Sequence, residues 1–286
     1  MAYENFIPAV WSEGINRELE RLCVFAEDCN TTYEGKVSKK GESVTILGVG
    51  KPTIRELAKA GRNNDIEGPE EIEDTSVIMY INQIRYFNYM VGDIDKAQAE
   101  NGIMETLNAE TSEGLANEVD KYLASFATDD SVASLYGTAV KVVAKETAAA
   151  GEKYVLDVVD EAIQRLYEND VKESTKIVMT VSPRFYTIFK KAYRFEDTNN
   201  SDILKNGKVG TYGKVIVKMS NNVHKTEGVD NIMIRTQRAI AYAKPLTKTE
   251  AYRPEKKFAD AVKGFILFDA KVVRPKEIIN INVKYA

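Results

Sequence analysis

Apolar residues recur at helical spacing in one long stretch near the middle of the chain. The face that they form is made of Ile103, Met104, Leu107, Leu115, Val119, Tyr122, Leu123 and Phe126. This pattern predicts an amphipathic helix over about 94–127, roughly 45 Å long at 1.5 Å per residue. Gly102 and Gly114 each cost such a helix about 1 kcal/mol relative to alanine, so they are the places where it could bend or break.

A second block, after residue 150, mixes helical and strand patterns. A helix is predicted from the apolar positions Val155, Val158, Val159, Ala162, Ile163 and Leu166. Residues 176–181 then read as a buried strand, and Ser182 with Pro183 supplies the cap and first turn of another helix. With a further strand at 214–218, the block predicts a compact mixed unit around a small sheet.

Strand patterns flank this block on both sides. Residues 75–91 are rich in β-branched and aromatic side chains and predict one long, bent strand. Near the C-terminus, residues 238–243, 262–274 and 278–283 predict further strands. We therefore expect one sheet built from distant parts of the chain, with the mixed block inserted between them.

The first 50 residues contain two segments with no core of their own. Residues 6–11 form an apolar extended arm, which could dock either on its own subunit or on a neighbour. Further on, Val37 and the run 44–46 flank the turn signal Lys40-Gly41, which predicts a β-hairpin with a charged tip. Such a lone hairpin is marginally stable in water and normally leans on another surface.

Length and charge exclude several function classes. The 286 residues suggest two structural units, and 39 basic against 43 acidic residues give a net charge of −4, which argues against a dedicated nucleic-acid reader. No apolar run is long enough to cross a membrane, and the N-terminus lacks the pattern of a secretory signal. We expect a protein that stays in the cytosol where it is made.

Candidate chemistry is sparse. Cys23 and Cys29 lack the spacing of a metal or redox motif and are interpreted as buried free thiols. His224 is the single histidine and stands in a polar loop, so no Ser-His-Asp or Cys-His arrangement can be assembled. We therefore predict a non-enzyme with no catalytic, cofactor-binding or metal-binding residues.

Three local patterns imitate binding motifs. Residues 48–53 resemble the end of a phosphate loop, but Thr45 and Pro52 stand where the motif needs glycine and Ser or Thr. Residues 207–213 have glycines at every third position but precede a strand, which favours a loop or hairpin over a dinucleotide fingerprint. The acidic residues Glu67, Glu70, Glu71, Glu73 and Asp74 lack the spacing of a calcium loop, which favours a solvated linker.

The order of segments and several local phrases resemble the major capsid (coat) proteins of tailed bacteriophages, a shell fold shared with encapsulins. The phrases are residues 6–12, 30–35 with 41–46, 87–95 with Gln98 and 115–122, and 262–275. The resemblance implies an α+β fold with an N-terminal arm (1–29) and an extended β-hairpin loop (30–73). It also implies a peripheral domain (74–149 and 239–286) with a spine helix, and an inserted axial domain (150–238).

What the resemblance implies for function is a structural subunit that assembles with itself, as hexamers and pentamers, into the icosahedral head around double-stranded DNA. Scaffolding protein and portal are implied as further partners, with non-specific contact to DNA, no membrane, and a location in the virion after synthesis in the host cytoplasm. Some family members crosslink this loop through a lysine; Lys36, Lys39 and Lys40 lie in it, but no partner residue can be assigned. An encapsulin-like compartment, an intracellular hydrolase or transferase, and a generic binding module are the alternatives.

Overall fold

The computed structural model describes residues 23–32, 43–49, 54, 74–92, 103–145, 150–195 and 210–285. The helices are α1 (Ile103–Ser125), α2 (Val155–Glu168) and α3 (Pro183–Phe195), with short 3₁₀ turns at Ala26–Asp28, Phe126–Thr128 and Pro275–Glu277. The first seven strands are β1 (Ser43–Val49), β2 (Asp74–Tyr80), β3 (Gln83–Gly92), β4 (Ala133–Ser134), β5 (Val140–Val143), β6 (Glu152–Tyr154) and β7 (Ile177–Val181). The others are β8 (Thr211–Tyr212), β9 (Val215–Met219), β10 (Lys225–Thr226), β11 (Val229–Thr236), β12 (Ile240–Tyr252), β13 (Ala259–Val272) and β14 (Ile278–Lys284).

Nine of these strands form one mixed sheet, called here the large sheet. Its order is β6-β5-β14-β11-β7-β9-β8, with β4 paired to β14 and β10 paired to β11. The central strands β7, β11 and β14 are almost wholly buried. Helices α2 and α3 pack together, and α2 also contacts β14; their apolar side chains belong to one main core that also includes residues of α1 and β13.

A second, three-stranded sheet has the order β12-β13-β3. One face of it packs against α1, where the ring of Tyr122 meets the ring of Phe268 edge-on at 5.6 Å. At its centre Gly264 lies beneath the ring of Phe87, so close that a β-carbon there would come within 2.6 Å of the ring. The absent side chain therefore lets the aromatic ring lie over the strand.

The strands β1 and β2 form a separate two-stranded sheet, called here the ribbon. Its inner face is a small apolar cluster in which Val44, Ile46 and Met79 pack against residues of β12 and β13. The sequence predicted a hairpin turning at Lys40-Gly41, but these two residues lie outside the described part of the chain. The partner that the structure gives to β1 is β2, about thirty residues further along.

The long strand predicted for 75–91 is wrong: the structure divides it into β2 and β3, which belong to different sheets. The chain is interrupted at Ile81 and Asn82. Residues 74–80 therefore pair with β1 in the ribbon and not with the three-stranded sheet.

Two sheet assignments also differ from the sequence-based boundaries. The prediction placed 239–286 and 74–149 together, but β14 is hydrogen-bonded to β11, and β4 and β5 pair with β14. Strand β11, which carries the centre of the large sheet, was not predicted at all. The apolar run Ile232-Met233-Ile234 was the signal that could have indicated it.

The helix predictions agree with the structure over the described residues. Helix α1 runs without a break through Gly114, and residues 93–102 lie outside the described part. Helix α2 and strands β7 and β9 lie where they were predicted, and the backbone N–H of Phe185 donates to Ser182 Oγ at 3.3 Å. This bond is the predicted cap of α3.

Candidate functional site

The turn Ala26–Asp28, called here the N-terminal turn, is held at both ends by buried charged groups. At its beginning, the carboxylate of Asp120 on α1 accepts the backbone N–H groups of Val24 at 2.8 Å and Phe25 at 3.0 Å. The guanidinium of Arg235 on β11 donates to the carbonyl oxygen of Phe25, just before the turn, at 2.7 Å, and to that of Asp28, at its end. A carboxylate therefore accepts the backbone N–H groups at the start of the turn, and a guanidinium donates to carbonyl groups on both sides of it.

The side chain of Asp28 adds ion pairs to this attachment. Its carboxylate is fully buried and lies 2.7 Å from Lys176 Nζ and 2.6 Å from Lys218 Nζ. Burial alone would raise the pKa of Asp28, but the hydrogen bonds and charges of the two lysines outweigh it and hold that pKa below its usual value. The pairs connect the N-terminal turn to β7 and β9 of the large sheet.

Burial has the larger effect at Asp120. It raises the pKa of this carboxyl to about 6, against the opposing influence of the backbone N–H groups that it accepts and of Arg235. Beside it, burial raises the pKa of the Cys29 thiol. Cys23 and Cys29 are buried thiols outside any disulfide, as predicted, and a buried neutral thiol is chemically inert.

Backbone pairing extends the attachment of the N-terminal turn to Asn30. Asn30 forms a parallel bridge with Ala241 of β12: its N–H donates to the carbonyl of Ile240 at 2.8 Å, and its carbonyl accepts the N–H of Tyr242 at 3.0 Å. The segment 24–30 is thus tied to α1, to the large sheet and to the three-stranded sheet.

The ribbon is attached differently, through the apolar cluster of its inner face and one buried carboxylate. Asp269 of β13 is 6% exposed and accepts the backbone N–H of Asn82, at the junction of β2 and β3, at 3.0 Å. It also accepts the hydroxyl of Tyr122 on α1 at 2.7 Å and the N–H of Ala270 at 2.8 Å. Burial, followed by this hydrogen bond and the carboxylate charge, raises the pKa of Tyr122.

Large apolar side chains are exposed on the ribbon and on the nearby edge strand β3. On the outer face of the ribbon, Ile78 is 45% and Tyr80 is 55% exposed. On β3, Tyr86 is 80% and Met90 is 51% exposed, and Phe258, before β13, is 87% exposed. Clusters of exposed large apolar side chains are typical of surfaces that contact another protein.

The candidate motifs of the sequence analysis are not brought together. His224 lies in the loop before β10, and its carbonyl accepts two hydrogen bonds from Asn231. Gly213, with a φ of +56°, forms the tight turn between β8 and β9, which makes the second glycine motif a hairpin. Residues 50–53, Lys36, Lys39, Lys40 and most of the acidic cluster lie outside the described residues.

Within the described ranges no group of three or more His, Cys, Asp or Glu side chains is placed to hold a metal ion. Among the same residues no helix is long and apolar enough to cross a membrane. Asp120 and Arg235 converge on the N-terminal turn, and Asp269 lies at the junction of β2 and β3; the sequence analysis singled out none of the three. For Arg235 the available signal was a charged residue directly after the apolar run Ile232-Met233-Ile234.

Comparison with known proteins gives matches among solved structures. No family model matches the chain, and no curated protein matches it in sequence. A structure from Mycobacterium phage Che8 is 25% identical, with a TM-score of 0.73 over 90% of each chain. The mature capsid of bacteriophage PhiM1 is 14% identical, with a TM-score of 0.65 over 92% of this chain and 87% of the other.

The chain has the major-capsid fold of tailed bacteriophages. The α+β fold class and the resemblance drawn from the sequence are therefore confirmed. The same major-capsid fold is found in a virus-like particle from Pyrococcus furiosus, which is 9% identical, with a TM-score of 0.57 over 98% of this chain and all of the other. The shell fold thus extends beyond phage heads.

Proposed function

We propose that this protein is the major capsid protein of a tailed bacteriophage, a structural subunit that assembles with itself into the icosahedral shell around the DNA genome. The observation that carries the proposal is the likeness to the Che8 phage structure over 90% of both chains, together with a phage capsid of the same fold. The subunit acts through its surfaces and projecting segments, and no catalytic step is assigned to it.

The exposed apolar side chains of the ribbon and of β3 support self-assembly. In a single subunit they would face water, whereas in a shell copies of the same chain surround each subunit on all sides. The net charge of −4 also suits a container, since a strongly basic lining would bind the packaged DNA tightly.

We further propose a division into two units. The large sheet with α2 and α3 supports an axial unit, and the three-stranded sheet with α1 supports a peripheral unit. Compared with the sequence-based boundaries, β14 and the short strands β4 and β5 go to the axial unit because of their pairing. Scaffolding protein, portal, and synthesis in the host cytoplasm before incorporation into the virion remain part of the proposal.

Electron microscopy of the purified protein, alone and with a scaffolding protein, tests the proposed function. We expect closed shells, or rings of six and five subunits. A species that stays monomeric under both conditions contradicts the proposal.

An encapsulin-like compartment is the second candidate, because the fold also matches the Pyrococcus virus-like particle over nearly the whole of both chains. The contents of shells isolated from the native source separate the two candidates. Nuclease-protected double-stranded DNA supports the phage head, and a folded protein cargo without DNA supports the compartment.

A further inference from the structure

The junction between β2 and β3 has an unusual arrangement. Strand β3 pairs with β13 as far as Gln83 opposite Phe268, so the next pair in register would be Asn82 opposite Asp269. Instead of a backbone bond, the side chain of Asp269 takes the N–H of Asn82 at 3.0 Å. The chain leaves the three-stranded sheet at this point and continues into the ribbon.

Three parts of the fold meet at this one carboxylate. Its Oδ2 atom accepts the N–H of Asn82, and its Oδ1 atom accepts the hydroxyl of Tyr122 and the N–H of Ala270. The ring of Tyr122 is itself held edge-on by Phe268 and Phe126, with centroids 5.6 Å and 5.3 Å away. The carboxylate therefore connects the start of the ribbon to Tyr122, a side chain of α1 that is itself held in place by its neighbours.

The apolar cluster, the other attachment of the ribbon, does little to fix the direction in which the ribbon points. The inner cluster consists of aliphatic and methionine side chains, among them Val44, Ile46 and Met79, packed on Ala243 and Leu267. Apolar contacts are nearly independent of angle, whereas a hydrogen bond weakens steeply when its geometry is bent. The cluster therefore holds the ribbon against the sheet, and the directional contact is the hydrogen bond from Asn82 to Asp269.

We propose that Asp269 is a positioning residue that fixes the direction of the ribbon relative to the three-stranded sheet and to α1. Resting on the proposed shell function, it also makes the assembled particles uniform in size, because a ribbon that projects in one direction meets a neighbouring copy in one geometry. A carboxylate is required, since an amide has a single oxygen. In either orientation, Asn at this position turns its NH₂ group toward a backbone N–H.

The orientation is measured on the soluble subunit with spin labels on cysteines introduced at Thr45, on the outer face of the ribbon, and at Lys248, on β12. Both positions are exposed. The native thiols are buried, and a sample without the introduced cysteines gives the background labelling. Electron–electron distance measurements then compare the wild type with Asp269→Asn, for which we expect a broader or displaced distance distribution.

Matched variants separate positioning from general loss of stability. Asp230→Asn makes the same carboxylate-to-amide change at another buried aspartate in the large sheet, one that accepts the Tyr285 hydroxyl at 2.7 Å, and should leave the distribution unchanged. Asn82→Pro removes the donated N–H and should broaden it, whereas Asn82→Ala keeps that N–H and should not. If Asp269→Asn does not fold, the comparison of Asn82→Pro with Asn82→Ala tests the positioning role.

A distribution with the wild-type width and the wild-type mean distance, in Asp269→Asn or in Asn82→Pro, overturns the positioning role. Particle size is then measured by electron microscopy, where we expect mixed diameters or open sheets from Asp269→Asn and uniform shells from Asp230→Asn. Uniform shells from Asp269→Asn overturn the inference for shell size. If the wild type forms no shells, the proposed function fails, while the distance measurement still decides the role of Asp269 in the subunit.

Discussion

The N-terminal turn and the ribbon are attached to the rest of the protein by different means. The N-terminal turn is bound by buried charges and backbone hydrogen bonds, from Asp120, Arg235 and the lysines around Asp28. The ribbon rests on a small apolar cluster and a single carboxylate. We therefore expect the N-terminal turn to unfold with the core, whereas a single substitution can loosen the ribbon while the core stays intact.

The largest effect is expected from loss of the buried cation of the N-terminal turn. Arg235 is 1% exposed, and Arg235→Met leaves two carbonyl groups without this donor and the carboxylate of Asp120 without its positive neighbour. Removing one partner of a buried charged arrangement costs about 3–5 kcal/mol. Denaturant unfolding of the soluble subunit should show this loss as one global transition.

The matched control is Arg238→Met. This arginine is 3.4 Å from Glu277 but its side chain is 45% exposed, so the loss should stay below about 1 kcal/mol. Equal losses in the two variants would contradict the structural role assigned to the buried guanidinium.

A change in the apolar cluster should act locally on the ribbon. Met79 is 1% exposed, and Met79→Ala removes contacts worth about 2–5 kcal/mol. Because few other contacts hold the ribbon, we expect faster hydrogen exchange in β1 and β2, by roughly 30-fold or more, with little change in the global unfolding midpoint. Ile78→Ala, on the exposed face, should leave exchange in the soluble subunit unchanged, and a global loss in Met79→Ala would show that the ribbon unfolds with the core.

The protonation of Asp120 gives the attachment of the N-terminal turn a pH dependence. Burial raises its pKa in the folded protein to about 6, from 3.8 in the unfolded chain. As the pH rises from 3.8 to about 6, the unfolded chain releases this proton while the folded protein keeps it, so the free energy of unfolding falls. The slope is at most about 1.4 kcal/mol per pH unit.

The effect is isolated by subtracting the free energy of unfolding of Asp120→Asn, which has no such group, from that of the wild type. We expect this difference to fall between about pH 4 and pH 6 and to be level above about pH 7. A difference that is level throughout, or that rises with pH, would show that the carboxyl is not held in the protonated form by burial.

The smallest loss of stability is expected from a substitution in the three-stranded sheet, which both the N-terminal segment and the ribbon contact. In Gly264→Ala the new β-carbon would meet the Phe87 ring at 2.6 Å and the carbonyl oxygen of Lys248 at 2.7 Å. Overpacking of this kind costs about 1–3 kcal/mol. Phe87→Leu in the same chain should recover only part of the loss, since the backbone oxygen stays in place.

Gly114→Ala makes the same chemical change as Gly264→Ala, but we expect it to stabilise the protein. Nothing lies within 4 Å of a β-carbon at this position of α1, so the variant should gain about 0.5–1 kcal/mol from helix propensity. Thermal unfolding measures the change in stability of each variant. A Gly264→Ala variant more stable than the wild type would contradict the close approach of the Phe87 ring.

The sequence predicted what depends on local periodicity. Helices α1 and α2 and the capped start of α3 follow from spacing and from Ser182-Pro183, and they lie where predicted. The fold family could be inferred from the order of segments, because that order survives when few residues are shared.

The sequence could not predict what depends on distant partners. Asn82 is disfavoured in strands, but its neighbours do not reveal that its N–H binds Asp269, 187 residues away in the chain. The turn signal at Lys40-Gly41 suggested a local partner for β1, whereas β2 lies beyond a long insertion. The hydrogen bonds from the N-terminal turn to Asp120 and Arg235 join three separate parts of the chain, so no single window of sequence contains them.

A reconstruction of the assembled particle tests the central claim most directly. We predict a closed icosahedral shell in which each subunit has the fold described here, and in which Ile78, Tyr80 and Tyr86 are covered by neighbouring copies of the chain. A protein that forms no closed particle, or a particle in which these side chains remain in contact with solvent, would contradict the account.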